Sequence, residues 1–346
     1  MNRFSTLTIV VALSLIISAC GAPAAPTVNP VDVQNTAVAA AFTMVAQTQA
    51  AIPTNTPLPP TETPTPSATP TPTPRARRIV ILSIDGLRPD AILAASMPHL
   101  IGLMETGAYS FNAQTTYPSV TLSAHASMLT GLCPSEHGVN WNDYMPENGY
   151  AQGTDLFDLA SAAGLRTDMY VTKKKLVQLT EPSSLDNSVF VNDRDTVLME
   201  RLLAEFPQDF GVLFIHFGIT DGMGHSYGWL SPQQLSVLYR ADQALGQLLD
   251  KLDELGLRSE TLIIITADHG GHDSTHGSNS PEDMTIPWIA SGAGIQPKPL
   301  TSLIHTTDTA ATAAFALGLA IPPEWNGVPV YEAFGLPVEK QSEACQ

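Results

Sequence analysis

Residues 262–265 read Leu-Ile-Ile-Ile, and two other runs, 79–84 and 211–217, are nearly as continuously apolar. A strand with one face in water alternates apolar and polar residues. A run apolar at almost every position fits a strand buried on both faces, as in a parallel sheet covered by helices on each side. Each run gives way to aspartate: Asp85 directly after the first, Asp221 after the second, and Asp268-His269 after the third. In open α/β sheets, ligands and catalytic groups collect beyond the carboxyl ends of the strands.

Segments with helical signals lie between these runs. Residues 97–104 read as a helix closed near Gly107, 156–163 as a helix stopped by Gly164, and 193–205 as another. Ser231-Pro232 opens a long helix, with serine as cap and proline in the first turn. Its leucines at 235, 238, 245, 248, 249, 252 and 255 keep helical spacing, and Gly256 ends it. Residues 169–171 and 286–290 read as further strands and 306–319 as a last helix. Alternation of this kind gives an α/β fold, a mainly parallel sheet sandwiched between helices in a single catalytic domain. Only 14% of residues are charged, which leaves enough apolar sequence for a large core.

The domain is expected over residues 78–338, with 339–346 as a C-terminal tail. Residues 1–20 have the pattern of an export signal: Arg3, an apolar stretch over 7–17, then small residues. Ile17-Ser18-Ala19-Cys20 resembles a bacterial lipobox, which makes Cys20 the lipidated mature N-terminus and the protein an extracytoplasmic membrane lipoprotein. Residues 21–77 form the tether. Part of it, 31–51, is rich in alanine, valine, threonine and glutamine and suits a weak helix. Over 53–74, nine of twenty-two residues are proline. That composition favours extended polyproline II, reaching roughly 70 Å at about 3.1 Å per residue. Cys133 and Cys345 either pair or remain free thiols; the sequence leaves both open.

Formal net charge is −17. With so few basic residues to neutralise phosphates, no specific nucleic-acid binding is expected. The carboxylates and imidazoles at the strand ends ask for compensating charge, because such groups do not cluster cheaply in a protein interior. Oxygen and nitrogen ligands together suit zinc or a similar divalent ion. Two such ions about 4 Å apart can clamp the attacking and leaving oxygens of an in-line displacement at phosphorus.

Several motifs together resemble the alkaline phosphatase superfamily, and within it the type I phosphodiesterase/nucleotide pyrophosphatase family, over about residues 78–320. Asp85-Gly with Arg88-Pro-Asp90 is similar to that family's first-strand motif, Asp221-x-x-Gly-His225 to its middle motif, and Asp268-His269-Gly270 to its third. The nucleophile motif, Thr-aromatic-Pro-Asn-His followed by Thr-Gly-Leu-x-Pro-x-x-His-Gly, has Thr121-Leu-Ser-Ala-His125 and Thr130-Gly-Leu-Cys-Pro-Ser-Glu-His-Gly138 as counterparts here. The resemblance implies that Thr121 is the nucleophile and that Asn142 binds a non-bridging phosphate oxygen. It implies one metal held by Asp221, His225 and His276 and another by Asp85, Asp268 and His269, with Thr121 between them. Zinc is the expected metal and manganese the alternative; a small phosphodiester or nucleotide is the expected substrate. Leu122, Ser123 and Ala124 depart from the family pattern. Ser119 is the reserve nucleophile, and His272 competes with His276 for the third ligand position.

The remaining polar residues receive plainer roles. His216 reads as a satisfied core histidine, His125 and His137 as braces for the nucleophile loop, and Lys173-Lys174-Lys175 as a solvated face. Cys133-Pro-Ser-Glu136 lacks the Cys-x-Pro-x-Arg spacing of a sulfatase. A phosphomonoesterase or phosphonate hydrolase on the same scaffold is the alternative enzyme, and a non-catalytic surface-binding lipoprotein the non-enzymatic one. No Lys or Arg lies between Arg88 and Arg166. A neutral amide at the nucleophile then predicts a preference for singly charged diesters over monoesters.

Overall fold

A computed structural model of the chain describes residues 73–338 and 340–345. The export signal, the lipobox and nearly all of the tether, including the helix expected over 31–51, lie outside the described residues. Among the described residues no helix is long and apolar enough to cross a membrane.

Among the described residues eight strands form one sheet: β1 Arg78–Ile84, β2 Ala108–Gln114, β3 Arg166–Val171, β4 Asn187–Phe190, β5 Phe210–Phe217, β6 Thr261–Thr266, β7 Thr285–Gly292 and β8 Lys298–Pro299. They run in the order β4-β3-β5-β1-β6-β7-β2-β8. The centre is parallel as expected; β7 pairs antiparallel with both β6 and β2. In β1 every residue after Arg78 is buried, as is every residue of β5 and β6. Each large aliphatic side chain buried there contributes about 1.5–3 kcal/mol relative to exposure.

The expected helices are present, with ends shifted by a few residues: Pro98–Glu105, Leu156–Ala162, Asp195–Ala204, Pro232–Glu254 and Asp308–Leu317. The Ser231 hydroxyl accepts from the Gln234 N–H and caps the long helix. Further helices fall where the sequence shows no helical period, the two longest being Thr121–Thr130 and Ile219–Tyr227. The first is buried at all ten positions, so it has no polar face to alternate with.

Register brings the strand ends together. Ile84 of β1 pairs with Phe217 of β5, and Ser83 with Thr266 of β6. Asp85, Asp221 and Asp268 therefore emerge from three adjacent strands at one edge. β3 lies on the other side of β5, with Val171 opposite His216, so the chain after β3 leaves at the same edge.

Cys133 and Cys345 form a disulfide across 212 residues of sequence. The tail is packed as well: the Ser342 hydroxyl donates to Asp308 and is buried. At the other end, the N–H groups of Arg75 and Ala76 both donate to the Ala316 carbonyl.

Candidate active site

The chain leaves β1 through Asp85 and turns at Gly86, whose φ of +73° is a left-handed value that favours glycine. A Cβ at Gly86 would stand 3.2 Å from the Trp229 ring and 3.5 Å from Asp221 Cα, so glycine also allows the first two strand ends to approach. The Gly86 N–H donates to Asp268 Oδ1 at 3.1 Å and ties in the third. Asp221 and His225 lie four residues apart on the helix Ile219–Tyr227, hence on one face of it.

The two oxygens of each carboxylate face different partners. Asp85 Oδ2 accepts from His216 Nε2 at 2.9 Å and lies 2.7 Å from Lys173 Nζ. Asp221 Oδ2 accepts from the same ammonium at 2.6 Å. The opposite oxygens, Asp85 Oδ1 and Asp221 Oδ1, have no hydrogen-bond partner among the described residues, and neither has Asp268 Oδ2. They face imidazole nitrogens instead. His269 Nε2 is 3.4 Å from Asp85 Oδ1 and 3.3 Å from Asp268 Oδ2. His276 Nε2 is 3.5 Å and His225 Nε2 3.3 Å from Asp221 Oδ1.

Each of these histidines uses its other nitrogen on a backbone carbonyl. Nδ1–H of His269 donates to Gly270 at 2.8 Å, that of His276 to Ser119 at 2.8 Å, and that of His225 to Ser274 at 2.9 Å. Burial pushes the His276 pKa down to about 4, with the neighbouring His269 adding to the effect, and burial lowers His269 as well. Neutral rings with Nδ1 protonated carry a lone pair on Nε2. Imidazole lone pairs therefore face carboxylate lone pairs across 3.3–3.5 Å, an arrangement that a bound cation, or a proton on a carboxylate, would relieve. Asp221, His269 and His276 form one group of ligand atoms close enough to share an ion; Asp85, Asp268 and His269 form a second. His225 stands at the rim, its side chain 44% exposed.

Burial raises the Asp85 carboxyl, but Lys173 and His216 outweigh it and hold the group well below the usual range. Burial and the nearby Asp85 push Asp268 up. Lys173 is pushed down by burial and up by Asp85 and Asp221, with a net rise, so it is an ammonium at neutral pH.

Thr121 opens the buried helix Thr121–Thr130 and is itself 1% exposed. Lys173 Nζ lies 3.4 Å from its hydroxyl. The Ser119 hydroxyl instead donates to the Ser278 carbonyl at 2.8 Å. His125 braces the helix, donating from Nδ1 to the Thr121 carbonyl at 2.7 Å and accepting on Nε2 from Ser83 Oγ at 2.8 Å. His137 donates from Nε2 to Ser127 Oγ at 2.9 Å. Asn142 Oδ1 accepts from the Leu122 N–H at 3.0 Å and from Lys175 Nζ at 2.9 Å, which leaves the Nδ2 amide as its donor.

One sequence-based alternative drops out and one expectation changes. His272 donates to Asp283 Oδ1 at 2.7 Å and is taken out of the cluster, whereas His276 enters it. The lysine run is not a solvated face. Lys173 bridges Asp85 and Asp221, Lys175 holds Asn142, and Lys174 alone is exposed, 4.3 Å over the Tyr144 ring. The premise of a purely neutral donor set at the nucleophile therefore fails. The signal that could have revealed it is the strand at 169–171, because Lys173 sits two residues beyond a strand end like the three aspartates. His216 is a satisfied core histidine, and the partner that satisfies it is a site carboxylate.

A family model described as type I phosphodiesterase/nucleotide pyrophosphatase matches residues 79–305. Human GPI ethanolamine phosphate transferase 2, catalytic subunit, is 29% identical over 288 residues, covering 76% of this chain and 29% of that protein. Human ectonucleotide pyrophosphatase/phosphodiesterase family member 1 is 26% identical over 220 residues, 55% of this chain and 23% of its own length. The chain thus spans roughly a quarter of the length of these curated relatives. Among solved structures, murine ectonucleotide pyrophosphatase/phosphodiesterase 5, as an inactive variant with AMP, superposes with a TM-score of 0.64 at 15% identity. That match covers 75% of this chain and 99% of the other. A phosphonate monoester hydrolase from Silicibacter pomeroyi gives 0.59 at 16% identity, covering 76% and 78%. At these identities the structural likeness establishes the alkaline phosphatase-like fold.

Proposed function

The chain belongs to the type I phosphodiesterase/nucleotide pyrophosphatase family, and we propose that it is a metal-dependent phosphoester hydrolase with Thr121 as nucleophile, acting on a small phosphodiester or the inner phosphate of a nucleotide pyrophosphate. The observation that carries this reading is the convergence of unpartnered buried carboxylate oxygens and the His269 Nε2 lone pair beside a threonine hydroxyl at a helix N-terminus.

Asp221, His225 and His276 would hold one divalent ion and Asp85, Asp268 and His269 the other, with zinc favoured by the mixed oxygen and nitrogen donors. His269 also lies within reach of the first set. Bound there, two cations would supply the positive charge that acidifies a threonine hydroxyl and stabilises the attacking and leaving oxygens. In the proposed reaction Thr121 Oγ1 bonds to phosphorus as the ester P–O bond breaks, its electron pair departing with the leaving oxygen. The threonine proton passes to solvent, and the leaving group takes a proton from solvent. Water then attacks the phosphoryl-threonine and restores the hydroxyl. With Asn142 Oδ1 held by Leu122 and Lys175, its Nδ2 amide is the donor for a non-bridging oxygen.

The phosphomonoesterase or phosphonate hydrolase reading stays as the second, favoured by the two ammonium groups beside Thr121 and Asn142. We also propose that the mature protein is an extracytoplasmic lipoprotein anchored through Cys20, with the chain from residue 21 up to Arg75 as tether and the catalytic domain beginning where Arg75 and Ala76 bond to Ala316. The Cys133–Cys345 disulfide supports an oxidising compartment.

The test is hydrolysis of a nitrophenyl nucleotide diester by the purified, zinc-loaded protein. Thr121→Ala should cost several orders of magnitude in kcat/KM with metal content intact, and Thr121→Ser should recover part of the activity. If Ser119→Ala is the lethal change and Thr121→Ala mild, the nucleophile is misassigned.

A further inference from the structure

The lysine loop after β3 contributes a charge that the metal and nucleophile assignments do not use. Lys173 Nζ contacts Asp85 Oδ2 at 2.7 Å and Asp221 Oδ2 at 2.6 Å, one carboxylate from each ligand set. It takes only the outer oxygens; the unpartnered inner ones, Asp85 Oδ1 and Asp221 Oδ1, remain for a cation. Ammonium and metal therefore do not compete for the same lone pairs. The same Nζ is 3.4 Å from the Thr121 hydroxyl, where phosphoryl oxygens would crowd during attack.

The loop is held in place. The Gly218 N–H donates to Thr172 Oγ1 at 2.8 Å and to Asp195 Oδ1 at 2.8 Å, which pins the start of the loop to the end of β5. Leu176 is fully buried on its other side. The Lys173 side chain is only 22% exposed.

We propose, resting on the hydrolase reading above, that Lys173 is the specificity-determining cation of this site and lets it accept a doubly charged phosphoryl group as well as a singly charged diester. Three carboxylates against two divalent cations leave one net positive charge, which matches a diester monoanion. Lys173 raises that to two, which matches a monoester near neutral pH, where the second phosphate ionisation is largely complete. In a site shielded from water, a charge so placed discriminates more strongly than it would at the surface. The substrate class thereby widens from diesters to phosphate monoesters with a dianionic head.

The experiment uses the full chain as wild type, Lys173→Met and Lys173→Arg, each with its zinc content measured. Calorimetry reads the binding of inorganic phosphate and of dimethyl phosphate, and kcat/KM is measured on nitrophenyl phosphate and a nitrophenyl nucleotide diester. Wild type should favour the diester over the monoester by less than about tenfold. Lys173→Met should weaken phosphate binding at least about tenfold more than dimethyl phosphate binding and widen the kinetic ratio by a similar factor, with zinc content unchanged. Lys173→Arg should recover most of the difference. Equal weakening of both ligands, or loss of zinc from the Met variant, overturns the proposal and leaves Lys173 a structural spacer. If Lys173→Met does not fold, Lys173→Gln, which keeps a donor but no charge, reads the same ratio. A protein that hydrolyses neither ester yet binds phosphate in a Lys173-dependent way would refute the hydrolase reading and keep this one. Hydrolysis with an unmoved binding ratio would do the reverse.

Discussion

Stripping divalent metal from this protein should cost several kcal/mol of stability, and neutralising one buried aspartate should return part of it. Four buried atoms of the cluster, Asp85 Oδ1, Asp221 Oδ1, Asp268 Oδ2 and His269 Nε2, have no hydrogen-bond partner among the described residues. Each buried, unsatisfied polar group costs about 1–3 kcal/mol, and charged ones more. The cluster then carries a penalty on the order of 4–12 kcal/mol, comparable to the whole stability of a typical domain. Taking the low end, and about 2–4 °C of melting temperature per kcal/mol for a domain near this size, zinc saturation should raise Tm by about 10 °C. Asp268→Asn makes the reasoning sharper. Burial and Asp85 already push the Asp268 carboxyl up, so its charge is unwelcome without metal. Metal-free Asp268→Asn should therefore be more stable than metal-free wild type by about 1–3 kcal/mol, while its zinc-induced shift in Tm falls by at least half. Scanning calorimetry of the EDTA-treated full chain, with zinc titrated back, measures both. A wild-type shift below about 3 °C would refute the reasoning. So would a metal-free variant that is less stable than wild type and equally stabilised by zinc.

Two further outcomes test other parts of the chain. The Glu332 carboxylate accepts from the backbone and hydroxyls of Thr301 and Ser302 and pairs with Lys298 at 3.0 Å. Burial raises its pKa, but the Ser302 bonds and the other donors win and hold it down to about 2 from an ordinary 4.5. A depressed carboxyl contributes stability above its unfolded pKa and loses it as pH falls through the folded one. Glu332→Gln should thus cost about 1–2 kcal/mol at pH 7 after allowance for solvent screening, and denaturant melts should find the difference gone near pH 2. At the other end of the chain, Cys20→Ala should release the protein from the membrane fraction of a bacterial host; unchanged membrane association would defeat the lipobox proposal.

Much of the site is legible in the sequence because buried parallel strands are apolar nearly throughout, so the first charged residue marks where a strand leaves the core. That logic located Asp85 and Asp268 directly, and Asp221 one turn into the helix that follows β5. Applied to the strand at 169–171 it would have located Lys173 too; three consecutive lysines instead suggested a surface. The buried helix Thr121–Thr130 was invisible for the opposite reason: apolar, small and hydroxyl side chains on every face leave no periodic signal.

What the sequence by itself determined is the central buried strands, the longer amphipathic helices and the chemistry at the strand ends, since periodicity and strand-terminating aspartates are local properties of the chain. What only the tertiary structure decided is which ends meet. The adjacency of β5, β1 and β6 comes from pairing between residues more than a hundred positions apart. The choice of His276 over His272 rests on the Ser119 carbonyl that His276 reaches, 157 residues away in sequence, and on the Asp283 carboxylate that holds His272. The Cys133–Cys345 bridge closes 212 residues, and Lys173 meets Asp221 across 48. Contacts of that range depend on the global path of the backbone, and no local pattern of residues encodes it.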